Sequence, residues 1–444
     1  MGDEEGFVRF IVKRDDNIEL RWWRAHANAV MDLDWSPSGV HLATAAGDRT
    51  ARVLDVVTQS TIVNLADGHE SCLRQVKFRP GEASGNILAT SDRTSTIHIW
   101  DTRYRRPCTT IPEEVFVSSD GTVLSEATST FGDAFNSLWT AHRRKQDNTP
   151  ASVTSLQWLS RQDYLLMSGS ESDATIKLWD TRYVGYTRDG KPKPLSSTAP
   201  PADHTRRPHG ITSLALNTDA SRIYSVCKNG TVYAYATSHL ILGHGPELAT
   251  FETPKPRNGR QAQGLAPLYG FRHDRLKVNS FFIKCAVLPS TVLGTEILAV
   301  GSSDACPILF PTDENAIQIE WQRQRDRARD VDHHHEVVRL SQNSETDILS
   351  SSQQSEARAE GLIPMYQKGT PLIEGTTKEV SSVKWADDGT LVSISDDYSV
   401  RFWRHDTEKA RFLRTCGYFG GHRHMAGWAD IENAEALDDD DPDD

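Results

Sequence analysis

The sequence predicts an all-β fold in which a four-stranded unit occurs six times. A pattern led by histidine recurs along the chain, apolar and polar residues alternate with the period of β-strands, and small residues with Asp or Asn separate the strands. No run of 18 apolar residues is present, which excludes a membrane-spanning helix. The 444 residues carry a formal net charge of −12, so the basic field typical of nucleic-acid-binding proteins is absent.

Three copies of the pattern are clear. Each begins with Ala-His or Gly-His, continues through an apolar strand that ends in an aromatic residue, and closes with a β-branched strand that ends in Asp; the histidines are His26, His69 and His142. Weaker copies cover residues 211–235, 282–310 and 380–403. The pattern is the WD repeat, in which each copy supplies one propeller blade. We therefore predict an all-β WD-repeat β-propeller.

The spacing of the repeats predicts the domain plan. We expect a propeller over residues 1–404 and a disordered acidic tail at 405–444. Three inserts interrupt the propeller, at residues 112–140, 236–278 and 313–370. The last insert is polar, so we expect it to be mostly disordered, with one short helix around 315–340, and dispensable for folding.

The first 24 residues match only part of a blade. Glu4 to Ile11 correspond to the third strand of a repeat, and the first two strands of that blade are not in this chain. The predicted plan is therefore seven-bladed, with six full blades and an incomplete first blade. Two explanations stay open, a start codon assigned too far downstream and a genuine shortened form. The tail could donate one strand, around Ala410 to Thr415.

Histidines invite a catalytic or metal-binding interpretation that the pattern does not favour. His26 and His69 with Asp48 could form part of a triad, but in a WD repeat this His is expected to bond the turn Asp and fix the blade. The run His333–His335 could bind a metal, but three consecutive histidines cannot all face one tetrahedral ion. No phosphate loop, GxSxG or HExxH motif is present. We predict no catalytic site, no metal and no cofactor.

Two charged segments leave alternatives open. The run His142-Arg143-Arg144-Lys145 is either part of a nuclear import signal or a solvated loop. Six of the last seven residues are Asp, which is typical of a solubilising tail, with contact to a basic partner as the alternative.

The tetrapeptide Trp-Asp-x-Arg occurs in two neighbouring repeats. The residues concerned are Trp100, Asp101 and Arg103 in one copy and Trp179, Asp180 and Arg182 in the next. Trp-Asp belongs to any WD repeat, but the blade does not require the Arg. The alternative is an Asp–Arg pair that serves only its own blade. Because two copies adjoin, we favour an exposed docking patch of two planar guanidinium groups.

These motifs carry a family resemblance. Trp-Asp-x-Arg in a propeller resembles the motif of substrate receptors of cullin-4 RING ubiquitin ligases. Within that class, Glu4 to Arg9, Ala25 to Val30 and Thr44 to Ala51 are similar to the denticleless family. The resemblance implies that Arg103 and Arg182, with their Trp-Asp residues, dock onto the multi-propeller adaptor. It also implies a non-catalytic nuclear receptor that presents proteins bound to the DNA sliding clamp for ubiquitination.

The resemblance leaves the substrate face open. From blade geometry we expect it on the side of the tight turns, where Arg49, Arg93, Lys228 and Tyr398 project; ordinary solvated turns are the alternative. We expect neither direct nucleic-acid binding nor a membrane partner. A competing function is a WD scaffold that binds histones or chromatin without a ligase. An enzyme has no support in the sequence.

Two repeats depart from the consensus. In the second clear repeat Thr94 takes the position of the turn Asp, with Asp92 two residues early, and in the third an extra residue lies between Ser170 and Asp173. We therefore expect the second motif to be imperfect. No clamp-binding string Gln-x-x-(Ile/Leu/Met)-x-x-aromatic-aromatic occurs, so we expect any contact with the clamp to pass through the substrate.

Overall fold

The computed structural model describes residues 1–14, 17–66, 68–81, 84–107, 116–117, 123–124, 130–144, 149–244, 265–326, 363–372, 376–415 and 427–430. The chain divides into two compact units. The first comprises Met1–Ala199, Pro208–Leu214 and Ser238–Leu265, and the second comprises Pro200–Arg207, Ala215–Thr237 and Ala266–Asp444. Strands dominate both units, which confirms the all-β class.

The first unit opens with a hairpin and continues with an eight-stranded sheet, whose two four-stranded halves we name sheets A and B, and with a four-stranded sheet, sheet C. The hairpin is β1 (Phe7–Arg14) and β2 (Asn17–Arg24). Sheet A contains β3 (Val30–Trp35), β4 (His41–Ala46), β5 (Ala51–Asp55) and β6 (Ser60–Leu65). Sheet B contains β7 (Leu73–Phe78), β8 (Ile87–Asp92), β9 (Ile97–Pro107) and, after the short pair β10 (Phe116–Val117) and β11 (Val123–Leu124), β12 (Thr130–Leu138). Sheet C contains β13 (Val153–Trp158), β14 (Leu165–Ser170), β15 (Lys177–Asp180) and, after the hairpin β16 (Gly185–Tyr186) and β17 (Pro192–Lys193), β18 (Ser196–Ser197).

Three further sheets follow along the chain. Sheet D contains β19 (Ile211–Leu216), β20 (Arg222–Cys227), β21 (Thr231–Ala236) and β22 (Tyr269–Arg272), with β26 (Met365–Tyr366) added in parallel. Sheet E contains β23 (Cys285–Leu288), β24 (Ile297–Val300), β25 (Ile308–Pro311) and β27 (Thr370–Pro371). Sheet F contains β28 (Val380–Trp385), β29 (Leu391–Ser395), β30 (Val400–His405) and β31 (Trp428–Asp430). The helices are a 3-10 turn (Ala202–Thr205), α1 (Thr237–Leu242), α2 (Ser290–Leu293), α3 (314–326) and α4 (Thr407–Thr415).

Polar side chains on the innermost strands bond each sheet of the first unit to the next. Asp34 on β3 accepts the backbone N–H of Phe78 at 2.8 Å and pairs with the Lys77 ammonium at 2.7 Å. The Gln75 side chain on β7 in turn accepts the N–H of Leu156 on β13. Because these contacts satisfy half-buried polar groups, they fix the order in which sheets A, B and C pack. The apolar faces between the sheets form continuous buried clusters that include Trp100 and Trp179.

The N-terminal segment is a hairpin packed on sheet A. The expected strand pairs along its whole length with β2, from Phe7 opposite Arg24 to Arg14 opposite Asn17. Val8 and Trp23 are buried against Leu42 and Leu54. Gly6 has φ +91°, and a Cβ there would lie 2.1 Å from the His26 carbonyl oxygen, so the turn requires glycine. The seven-bladed plan with an incomplete first blade stays a prediction.

The predicted inserts contain the outer strands of the sheets, which corrects their boundaries. The insert 112–140 contains β12, which pairs with β9, and the insert 236–278 contains β22, which pairs with β21. The insert 313–370 includes α3, where Ile317 is 1% exposed within the core of the second unit. It also includes β26 on β22. The dispensability of 313–370 stays a prediction, and the packing of Ile317 and β26 counts against it at the ends of the segment. Residues 327–362 lie outside the described ones.

The predicted disordered tail is ordered where it is described. Ala410 to Thr415, expected as a donated strand, belongs to the helix α4, and Ala410 is fully buried. Trp428–Asp430 pairs with β30 as the outer strand of sheet F, and Asp430 Oδ2 lies 3.1 Å from Arg401 Nη1. The apolar side chains of Trp428 and Ala410 explain this order, because each removes apolar surface from water. The acidic residues 431–444 lie outside the described part.

Two negative findings apply to the described residues. None of their helices combines the length and apolar character needed to cross a membrane. Within the same ranges, no three His, Cys, Asp or Glu side chains form a group that could hold a metal ion. The run His333–His335 lies outside these ranges.

Candidate functional site

Sheets B and C have two polar ends, which we name by their contents. The His end comprises the loop before the first strand and the turn between the second and third strands. The Arg end follows the third strand and contains the Trp-Asp-x-Arg motif. Each end holds an Asp paired with a nitrogen base, and the two ends differ in burial.

The His end of sheet B is a chain of four buried side chains. Trp100 donates its indole N–H to Thr90 Oγ1 at 2.7 Å, and Thr90 Oγ1 lies 2.6 Å from His69 Nε2. The other ring nitrogen, Nδ1, lies 2.9 Å from Asp92 Oδ2. Asp92 Oδ1 accepts the N–H groups of Thr94 and Thr96 and so holds the turn. The chain satisfies every member, as buried polar groups require.

Sheet C repeats this arrangement with serine in place of threonine. Trp179 donates to Ser168 Oγ at 2.8 Å, His142 Nε2 lies 2.8 Å from the same oxygen, and His142 Nδ1 lies 2.9 Å from Asp173 Oδ2. Burial lowers the pKa of His142. Burial acts to raise the pKa of Asp173, but the electrostatic interaction and hydrogen bond with His142 and the charge of Lys177 outweigh it and hold that pKa well below its usual range. His142 is fully buried, so it is not an exposed part of the basic run.

The structural interpretation of the histidines is confirmed in all three clear repeats. In sheet A, His26 bonds Asp48 at 3.0 Å and Thr44 at 2.6 Å, although Leu54 stands where the other sheets have Trp. The expectation of an imperfect second motif is wrong. Asp92 ends strand β8 close enough to His69 to replace the turn Asp, so Thr94 is not needed there.

The Arg end of sheet B fixes an exposed guanidinium on a buried carboxylate. Arg103 donates from Nε to Asp101 Oδ1 at 2.8 Å and from Nη2 to Asp101 Oδ2 at 2.5 Å, while its backbone N–H also bonds Oδ1. The Arg103 side chain is 60% exposed and that of Asp101 is 5% exposed. Hydrogen bonds from Arg103 lower the pKa of Asp101 against the effect of burial. The pair is thus ionised and the fork is held in one orientation.

The Arg end of sheet C has the same geometry. Arg182 donates from Nε to Asp180 Oδ1 at 3.1 Å and from Nη2 to Oδ2 at 2.9 Å, and its side chain is also 60% exposed. Its guanidinium carbon lies 3.4 Å from the centre of the Tyr164 ring, a cation–π contact. Hydrogen bonds from Arg182 lower the pKa of Asp180.

Hydrogen bonds to the backbone fix both motifs, and one of them links sheet B to the motif of sheet C. The residue before each Arg donates its N–H to the loop that precedes the second strand, Thr102 to Asn86 O at 2.8 Å and Thr181 to Tyr164 O at 3.0 Å. The Asn136 side chain on β12 of sheet B donates to Thr181 O at 2.9 Å in the motif of sheet C. This hydrogen bond joins strand β12 of sheet B to the Arg end of sheet C.

The tryptophans of the motif are not available to a partner. Trp100 and Trp179 are buried, at 0% and 2% exposure, because their indoles belong to the His-end chains. Of the six residues predicted for docking, Arg103 and Arg182 are the ones that present most of their side chain to solvent. Asp101 and Asp180 position these two arginines.

The four predicted substrate-facing residues are all exposed at turns. In the first unit, Arg49 has φ +72° in the turn between β4 and β5, and Arg93 follows β8. In the second unit, Lys228 follows β20, with its ammonium 4.1 Å from the centre of the Phe281 ring, and Tyr398 is 83% exposed with φ +65°. Their role in substrate binding stays a prediction.

Comparison with known proteins extends the picture to most of the chain. The family model "WD domain, G-beta repeat" matches residues 18–55, 138–180 and 368–404. The chain is 25% identical to the cell division cycle protein cdt2 of Schizosaccharomyces pombe over 391 residues, which cover 86% of this chain and 59% of that protein. It is 26% identical over 413 residues to the denticleless protein homolog of Danio rerio, covering 91% and 49% of the two chains. With the denticleless protein homolog of Gallus gallus the identity is 29% over 331 residues, covering 71% and 39%.

The chain is a denticleless-type WD-repeat protein. Its fold class is the all-β WD-repeat β-propeller. It spans about half the length of these curated relatives.

Sequence reasoning missed three contributors to the Arg end of this denticleless-type protein. Asn86 and Tyr164 each stand immediately before the second strand of their sheet, and both receive the N–H that precedes the motif Arg. This shared position before the second strand could have identified Asn86 and Tyr164 from the sequence. The sequence gives no such signal for Asn136, because it lies on a strand that an insert separates from the rest of its sheet.

Proposed function

We propose that this chain is the substrate-recognition subunit of a cullin-4 RING E3 ubiquitin ligase. The observation that carries the proposal is the pair of exposed arginines, Arg103 and Arg182, each held by an Asp at the same end of neighbouring sheets. The similarity to denticleless-type proteins over most of the chain supports it. In this role the two Arg ends dock onto the multi-propeller adaptor of the ligase.

The geometry suits an anchor at a protein interface. Each Asp holds Nε and Nη2 of its Arg, so the exposed guanidinium meets a partner in an orientation that is already set. Holding the fork in place before binding lowers the entropic cost of association. Two such anchors on neighbouring sheets also define the orientation of the partner.

The proposed receptor contributes proximity and no chemistry of its own. Binding the adaptor at one surface and a substrate at another raises the effective concentration of the substrate beside the charged ubiquitin carrier. We propose replication and cell-cycle proteins bound to the sliding clamp as substrates, and the nucleus as the location. The turns that carry Arg49 and Arg93 in the first unit are the proposed substrate side.

The test is co-purification of the full chain with the cullin-4 adaptor. The double variant Arg103→Ala with Arg182→Ala removes both anchors, and loss of an anchoring Arg costs about 2 kcal/mol or more, roughly thirtyfold in affinity. The matched control is Arg144→Ala at the His end of sheet C, where the Arg is 50% exposed and paired with Glu171 at 2.8 Å.

The proposal requires that the double variant folds, loses the adaptor, and that the Arg144 variant keeps it. A folded double variant that binds as tightly as the unaltered chain would overturn the proposal. If the unaltered chain binds no adaptor but retains histones, the competing scaffold function replaces it.

A further inference from the structure

A second polar feature lies at the His end of sheet C and takes no part in the Arg ends. It is a pocket of about 380 Å³ between the loop before β13, the turn before β15 and the hairpin β16–β17. Its lining includes the cations Arg143, Lys177 and Lys191 and the carboxylate of Asp173, together with four Thr or Ser residues. Three cations against one carboxylate give the lining a surplus of two positive charges, in a chain whose net charge is −12.

The one carboxylate of the lining, that of Asp173, already bonds two buried side chains. Asp173 bonds His142 at 2.9 Å and Ser170 at 2.6 Å, and its side chain is only 6% exposed. Burial lowers the pKa of His142, which therefore adds no positive charge near neutral pH. The excess charge in the pocket thus resides on the side chains of Arg143, Lys177 and Lys191.

Lys177 retains donors for a ligand. An ammonium has three N–H donors, and Lys177 gives one to the carbonyl oxygen of Ala141 at 2.7 Å. Asp173 Oδ2 lies 3.9 Å from Lys177 Nζ, too far for a hydrogen bond. Burial lowers the pKa of this ammonium, against the opposing charge of Asp173, so a second anion would stabilise the cation.

Lys191 lies in the turn of a hairpin, β16–β17, that is not part of the four-stranded sheet. The turn is closed by two backbone hydrogen bonds, from Thr187 N to Lys191 O at 2.7 Å and from Gly190 N to Thr187 O at 3.0 Å. Lys191 N also donates to Thr187 Oγ1 at 3.2 Å, so the backbone at Lys191 is fixed. Among the residues described, the Lys191 ammonium makes no ion pair.

We propose that this pocket binds the phosphoryl group of a phosphorylated serine or threonine in a partner peptide. A phosphate monoester carries about −1.5 to −2 charges at pH 7, which matches the surplus of the lining. Its three acceptor oxygens suit ammonium, guanidinium and hydroxyl donors together. A single pocket on an acidic protein fits one phosphoryl group better than a nucleic-acid backbone, which needs a track of cations. If the proposed receptor function holds, the peptide belongs to a substrate or a regulator, although phosphate binding itself does not depend on that function.

The experiment uses the purified full chain and three bead-bound random peptide libraries that differ only at one fixed central residue. That residue is phosphoserine, serine or glutamate. We expect retention on the phosphoserine library and loss of retention on the serine library. Lys191→Gln should bind the phosphoserine library about tenfold more weakly, because it removes one charge-assisted hydrogen bond.

The matched control is Lys193→Gln, an exposed lysine two residues further along the same hairpin that does not line the pocket. It should bind like the unaltered chain. Lys177→Gln is a second test, and its melting temperature shows whether it folds.

Equal retention on the phosphoserine and serine libraries would overturn the proposal, and so would a Lys191→Gln variant that binds normally. Equal binding to the glutamate library, or displacement by a single-stranded oligonucleotide alone, would likewise replace the phosphopeptide with another ligand. Adaptor binding should be unchanged in all three variants, so this test and that of the proposed function fail independently.

Discussion

The His end and the Arg end of sheet C contain similar pairs and have opposite exposure. At both ends an Asp oxygen lies 2.9 Å from a nitrogen of a basic side chain. The His142 side chain is fully buried, whereas that of Arg182 is 60% exposed. A buried pair that loses one partner leaves an uncompensated polar group, whereas an exposed pair exchanges its partner for water. Burial therefore assigns the His end to stability and leaves the Arg end exposed for the docking role that we propose.

The largest expected effect is the difference in the free energy of unfolding between variants at the two ends. Asp173→Ala should lower the free energy of unfolding by about 3 kcal/mol, because it leaves His142 and Ser170 without their buried acceptor. Asp180→Ala, at the other end of the sheet, should lower it by less than about 1 kcal/mol. Urea denaturation of the two variants measures both values. Similar losses in the two variants would show that burial does not distinguish the ends.

The pH dependence of stability should also come from the His ends. Burial lowers the folded-state pKa of His26 and His142, and lowers that of His98, which packs against His69, to about 4. The unfolded chain therefore binds more protons below pH 6.5, so stability is complete above that pH and decreases as the pH falls towards the folded pKa values. Each histidine contributes up to about 1.4 kcal/mol per pH unit.

Melting temperatures between pH 7.5 and pH 5 measure this dependence. His98→Gln should flatten the curve, because one depressed histidine is removed. Asp180→Ala should leave its slope unchanged, since Arg182 keeps the pKa of Asp180 below the usual carboxylate range. A slope that His98→Gln does not alter would contradict the assignment.

The two ends also differ in how far the sequence predicts them. The His–Asp partners follow from the repeat, because each histidine stands in the loop before the first strand of its sheet. Asp92 is an exception. When the repeats of this chain are compared, Thr94 takes the turn position of Asp48, and the end of strand β8 brings the Asp92 carboxylate to His69. The outer strands β12, β22 and β31 were missed because long segments separate them from the strands with which they pair. At the Arg end, the motif predicts both arginines, but not the hydrogen bond from Asn136 to the Thr181 carbonyl oxygen.

A smaller effect tests whether the Asp positions the Arg at the Arg end. Asp101→Ala with Asp180→Ala keeps both arginines and frees them from their carboxylates. Adaptor affinity should fall about fivefold, which corresponds to about 1 kcal/mol, because the side chains must then be ordered on binding. Surface plasmon resonance against the adaptor measures the change. If affinity stays the same, the Asp residues serve only their own sheets.

The smallest expected effect tests whether burial or location determines how much a pair contributes to the free energy of unfolding. Arg144 and Glu171 form an ion pair at the His end of sheet C, with the Arg side chain 50% exposed. If exposure is decisive, Arg144→Ala should change the free energy of unfolding by no more than about 0.5 kcal/mol, as for other surface pairs. Urea denaturation beside Asp173→Ala gives the comparison within one end of one sheet. A loss close to that of Asp173→Ala would mean that the whole His end is a single energetic network, in which position outweighs exposure.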